Sequence, residues 1–128
     1  MKDKKVIFKK CISCETSLPP EIEFRLNDGV LMKSQLMEVF PPAPRYQYSF
    51  TRYADEFTDK PVIAYFITID MKSITDSGFY MSVAYEDMKD PTGYEMLDDT
   101  IVDLAEIKGK IYDYIKMIIE AEEERTKY

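Results

Sequence analysis

The spacing of apolar residues changes period partway along this chain, and that change restricts its fold more than any other feature. Up to about Asp87 apolar side chains recur at every second position; beyond the turn at 90–93 they recur every third or fourth. A period of two belongs to a strand with one buried face, a period near 3.6 to a helix. Ile22, Phe24 and Leu26 alternate with Glu21, Glu23 and Arg25. Tyr46, Tyr48 and Phe50 alternate with Gln47, Ser49 and Thr51, and Phe79, Met81, Val83 and Tyr85 oppose Ser82 and Glu86. Residues 62–69 are apolar in both phases, as in a central strand covered on two sides. That second face needs cover from segment 30–40 or from another subunit. Residues 5–16 read as a first strand, whereas 30–40 fits either a strand or a short helical turn.

The breaks between these segments carry turn chemistry. Asn27, Asp28 and Gly29 form a strong hairpin signal, and Asp90 to Gly93 marks a second turn. Pro41, Pro42 and Pro44 fall within four residues and favour a stiff, extended connection.

After Gly93 the pattern reads as helix. Ile101, Leu104, Ile107, Ile111, Ile115 and Ile118 follow three- and four-residue spacings. Thr100 followed by Asp103 resembles a capping box, and Asp98 and Asp99 suit the positive end of a helix dipole. Gly109 falls opposite the isoleucine stripe, which runs past it in register, so one helix is expected rather than two. From residue 100 to 125 it would be roughly 39 Å long. The expected fold is α+β: an antiparallel, twisted sheet of about five strands within 5–87, then one long C-terminal helix over about 98–125, packed on one face. All 128 residues are assigned to a single domain.

The chemistry is defined mostly by exclusion. The chain has no histidine, which removes Ser-His-Asp and Cys-His catalysis and histidine-ligated metals. Its 4 glycines make no phosphate-cradling loop. Tyr112 and Lys116 have the spacing of a short-chain dehydrogenase pair, but the dinucleotide-binding fold such a pair requires is not indicated. Cys11 and Cys14 are the only cysteines, two short of a structural zinc site, and they read as ordinary reduced thiols on opposite strand faces. Asp98, Asp99 and Asp103 could present carboxylates to a hard cation; at a helix start they read as capping groups instead. No enzymatic activity, metal or cofactor is expected.

Net charge is −7, unevenly spread. Residues 1–60 hold 10 basic and 9 acidic groups, whereas 61–128 hold 7 and 15. Such a chain is poorly suited to neutralising phosphates, so direct nucleic-acid binding is not expected. No apolar run approaches the ~18 residues of a membrane helix, and the N-terminus lacks a signal-peptide core. The expected location is the cytoplasm, or a host's cytoplasm if the chain is phage-encoded; its Lys, Ile, Tyr and Met content fits AT-rich bacterial and phage genomes.

Two functional expectations follow. The first is a non-enzymatic protein-binding domain, an inhibitor or adaptor, that presents an acidic face to a partner protein. The face is drawn from Glu86, Asp87, Asp90, Glu95, Asp98, Asp99, Asp103 and Glu106. The second is an assembly subunit of an oligomer, for example in a phage particle, most simply a homodimer. Its motivation is the helix, where apolar residues from Ile111 to Ala121 cover an arc of roughly 220° against the ~100° a sheet requires. One flank of that arc, Tyr114, Met117 and Ala121, is the expected oligomer interface.

Overall fold

The computed structural model describes residues 18–39, 45–54, 60–70, 78–90 and 92–126. The expectations for Cys11 and Cys14, for a strand over 5–16 and for the proline connection at 41–44 lie outside those residues. Six strands run in order: β1 (Glu21–Arg25), β2 (Leu31–Val39), β3 (Arg45–Tyr53), β4 (Pro61–Asp70), β5 (Gly78–Asp87) and β6 (Tyr94–Asp103). A 3₁₀ turn, Leu104–Glu106, leads into helix α1 (Ile107–Arg125). Each strand pairs antiparallel with the next, so the sheet is a six-stranded meander in the order β1-β2-β3-β4-β5-β6. The α+β architecture is as expected, with six strands among the described residues rather than about five.

The pairing register sorts the side chains into two faces. Tyr48, Phe50, Ile63, Tyr65, Ile67, Ile69, Phe79, Met81 and Val83 share one face and are fully buried. Ile107, Ile111, Ile115 and Ile118 of α1 join the same core, at the three- and four-residue spacings read from the sequence. At ~25 cal/mol per Å² of apolar surface, burying each of these large side chains contributes on the order of 2 kcal/mol. The 19 residues of α1 span about 28 Å, shorter than expected. Gly109 does not break the helix, and nothing lies within 4 Å of where its Cβ would be.

The β1–β2 hairpin turns where the sequence signals it. Gly29 takes φ +91, a conformation that costs glycine no Cβ clash. Its N–H donates to the Leu26 carbonyl at 2.9 Å, and Asp28 Oδ1 accepts the Val30 N–H at 3.1 Å. Within segment 30–40, residues 31–39 form strand β2, which extends the sheet and does not cover β4. Its alternation is obscured because Ser34 occupies a buried position between Met32 and Leu36. β2 pairs with β1 through residues 31–35 and with β3 through 36–39. Where it leaves β3, the Ser34 hydroxyl accepts the Ser49 backbone N–H at 2.8 Å and replaces a missing rung of the ladder.

The largest correction concerns residues 94–103. They form β6, and the helix begins only after Asp103. Thr100-Ile101-Val102 is a β-branched run, which favours strand over helix. The capping box lies one turn later than expected: Glu106 Oε1 accepts the Asp103 backbone N–H at 3.0 Å. Asp98 and Asp99 are therefore strand residues and do not sit at a helix terminus. Ile101 leaves the apolar stripe and is 49% exposed.

Candidate functional site

The acidic residues of 86–106 are contiguous in sequence, but the pleat of β6 divides them. Asp99 pairs across from Ser82 and lies with Met96 and Ile101 on the sheet face opposite α1. Glu95 lies across from Tyr85, on the helix side. A bulge changes the phase between them: Val83 pairs with Asp98 and Ala84 with Met96, which leaves Leu97 as the extra residue. Asp98 is consequently turned toward the helix, where Lys110 Nζ stands 4.0 Å from its Oδ2 and 5.2 Å from the centre of the Tyr114 ring. The acids thus line one edge of the sheet and its adjoining turn, not one face.

Most of them have local partners. The Tyr80 hydroxyl donates to Asp99 Oδ2 at 2.7 Å, and the Tyr85 hydroxyl to Glu95 Oε1 at 2.8 Å. The carboxylate hydrogen bond pushes the Tyr80 hydroxyl up to about 12, and the same cause raises that of Tyr85. Asp87 and Asp90 organise the β5–β6 turn: Asp87 Oδ1 accepts the Lys89 N–H, and Asp90 Oδ1 accepts both the N–H and the hydroxyl of Thr92. Those contacts hold the Asp90 carboxyl below its ordinary value. Gly93 closes the turn against Asp87, whose Cβ would lie 2.9 Å from any Cβ added at Gly93. Asp103 and Glu106 cap the helix. Glu86 is exposed on the strand that leads into the turn.

β6 is an outer strand of the sheet among the described residues. None of its ten residues is buried, in contrast to β5. Tyr94 (62% exposed), Met96 (45%) and Ile101 stand among its acids. Among the described residues no strand pairs with its outer edge, along which alternate backbone N–H and C=O groups point. The arrangement can offer hydrogen bonds, apolar contact and negative charge along one line. On the sheet face opposite α1, Leu31, Met37 and Phe66 are also uncovered by any described element, although Phe66 is half-buried among its neighbours.

The helix flank expected as an oligomer interface is placed differently. Tyr114 is fully buried, its hydroxyl 3.4 Å from the Met81 carbonyl oxygen, so it belongs to the core of the subunit. Met117 and Ala121 are half-buried and pack against that core. Of the wide apolar arc the core takes Ile111, Tyr114, Ile115 and Ile118, while Tyr112 is left 50% exposed.

One cluster has no counterpart in the sequence reading. Glu122, 1% exposed, is held near the end of α1 by four hydrogen bonds. Its Oε1 accepts from the Tyr65 hydroxyl at 2.5 Å and Arg125 Nε at 2.8 Å; its Oε2 accepts from Arg52 Nη1 at 2.6 Å and Arg125 Nη2 at 2.5 Å. Arg52 also reaches Asp28 Oδ2 in the β1–β2 turn at 2.5 Å. Burial pushes the Glu122 carboxyl up, but the bonds from Arg125 and Tyr65 and the nearby arginine charges outweigh it, and its pKa falls below the ordinary value. Every lone-pair direction of this carboxylate is occupied, so the cluster ties α1 to the sheet and leaves no acceptor for a substrate.

Among the described residues no group of three or more metal-ligating side chains could hold an ion. Among them, too, no helix is long and apolar enough to cross a membrane. Comparison with protein-family models, with curated proteins and with solved structures returns no match.

Proposed function

We propose that this chain is a non-enzymatic protein-binding domain, an inhibitor or adaptor acting in the cytoplasm, and that it meets its partner through the β6 end of the sheet. One observation carries the reading: a ten-residue outer strand with no buried residue bears Tyr94, Met96 and Ile101 beside Glu95, Asp99 and Asp103. Aromatic residues and methionine are enriched at interface cores, and acids around them steer a basic partner and raise its association rate. The test begins with recovery of the partner from the source cell on the tagged chain. The purified pair is then compared with the triple variant Glu86→Lys, Glu95→Lys, Asp99→Lys. The association rate should fall at least tenfold, and added salt should reproduce the loss in the unsubstituted protein. Unchanged kinetics in a variant that melts normally would refute the reading.

A second reading, an assembly subunit, is favoured by the sheet face that no described element covers, which carries Leu31, Met37, Phe66, Met96 and Ile101. Six strands ~4.8 Å apart and about 30 Å long present on the order of 850 Å², near the ~800 Å² per partner of a stable dimer. Light scattering separates the two readings: an oligomer that persists on dilution supports assembly, and a monomer supports the binding domain.

A further inference from the structure

We infer that β6 binds its partner by strand addition, and that the occupant is an extended basic segment with Lys or Arg, an apolar residue, and Lys or Arg at alternate positions. The inference rests on the β6 reading above and specifies its chemistry. Beyond the bulge at Leu97, residues 98–103 run in unbroken register with β5. On the face away from α1 this stretch presents Asp99, Ile101 and Asp103, an acid–apolar–acid row at a period of two. Side chains directly opposite on a paired strand stand ~5 Å apart, and opposite charges there are favourable. The complementary row is therefore base–apolar–base.

The same acids exclude the other candidates for this edge. Neighbouring residues of a strand present their N–H and C=O groups to opposite edges, so residues 98–103 of two copies can pair only between positions an even number apart. Centred on Ile101, such an antiparallel pairing sets Asp99 of each copy against Asp103 of the other; centred on Asp99, it sets that acid against itself. Like charges directly opposite destabilise a ladder, so a second copy of β6 is a poor occupant, as is any acidic strand. The bulge and the acids act as the usual protection of an outer strand against indiscriminate pairing. They leave it open to a strand that brings the opposite charge. Asp98 lies outside the recognition row because it faces Lys110 on the helix side.

The test uses the full chain and seven-residue probes of three kinds. The first is the peptide Thr-Lys-Thr-Val-Thr-Lys-Thr; the second replaces both lysines by glutamate; the third is the lysine peptide N-methylated in two isomers, at odd or at even positions. Binding is followed by NMR titration, and the exchange of β6 amide hydrogens is measured with each probe. The lysine peptide should bind, slow the exchange of alternate β6 amides and lose at least tenfold in affinity with Asp99→Lys; the glutamate peptide should not bind. One N-methylated isomer, the one that blocks the pairing edge, should lose binding while the other keeps it. Equal affinity of the two isomers, or binding without slowed β6 exchange, overturns strand addition yet leaves an acidic recognition edge standing. A lysine peptide that binds no better than the glutamate peptide overturns the inference and counts against the acidic edge as well.

Discussion

Replacing Glu122 by glutamine keeps the size of the side chain and removes its charge. Arg52 and Arg125 would then face a neutral amide, and the amide nitrogen, itself a donor, would displace two of the four bonds now accepted. Breaking a buried ion pair from one side costs about 3–5 kcal/mol. The arginine side chains remain 18% and 33% exposed and can recover part of their hydration, which places the expected loss at the lower end, ~3 kcal/mol. For 128 residues the unfolding entropy is roughly 0.27 kcal/mol/K, so the melting temperature should fall by about 11 °C at pH 7. The loss should depend on pH in a fixed direction. The Glu122 pKa is lowered in the folded state, so its contribution is complete above the ordinary value of 4.5 and is lost as pH falls through the folded value. The gap between the two proteins should therefore narrow toward zero as the pH is taken well below 4.5. Urea unfolding of both proteins across this range supplies the measurement. A difference under ~1 kcal/mol at pH 7, or one that does not narrow in acid, would show that water already serves this carboxylate and that the cluster does not hold α1 to the sheet.

Two smaller changes test the local reasoning. Gly109→Ala should stabilise by less than ~1 kcal/mol, because the position is exposed, in the first turn of α1 and open to a Cβ; an unchanged or lower melting temperature would contradict this. Ser34→Ala should cost roughly 1–2 kcal/mol by leaving the Ser49 N–H without its acceptor where β2 parts from β3, and the Ser49 amide should exchange faster; an unchanged rate would mean the bond is not formed.

Local pattern alone was enough for the strands β1, β3, β4 and β5, for the turn at Gly29 and for the buried stripe of α1. β1, β3, β5 and α1 each bury one face, which imposes a period that the sequence must display, and β4 showed as an unbroken apolar run. β6 escaped because none of its residues is buried among the described elements. With no buried face its alternation is not enforced, the extra residue at Leu97 shifts its phase, and Ile101 and Leu104 happen to continue the spacing of Ile107 and Ile111 backward. The acids were legible as a charged run, but their division between two sides of an edge depends on the pairing register. Glu122 was the least visible of all. It lies in Glu120-Ala121-Glu122-Glu123-Glu124-Arg125, which reads as a solvated helix end, and its partners Tyr65 and Arg52 are 57 and 70 residues away. The sequence by itself determined the segments whose burial leaves a pattern, namely β1, β3, β4, β5 and the buried stripe of α1. Only the tertiary structure decided which strand is left at the edge and which carboxylate is drawn inside, because both follow from which distant segments meet, a quantity no local period encodes.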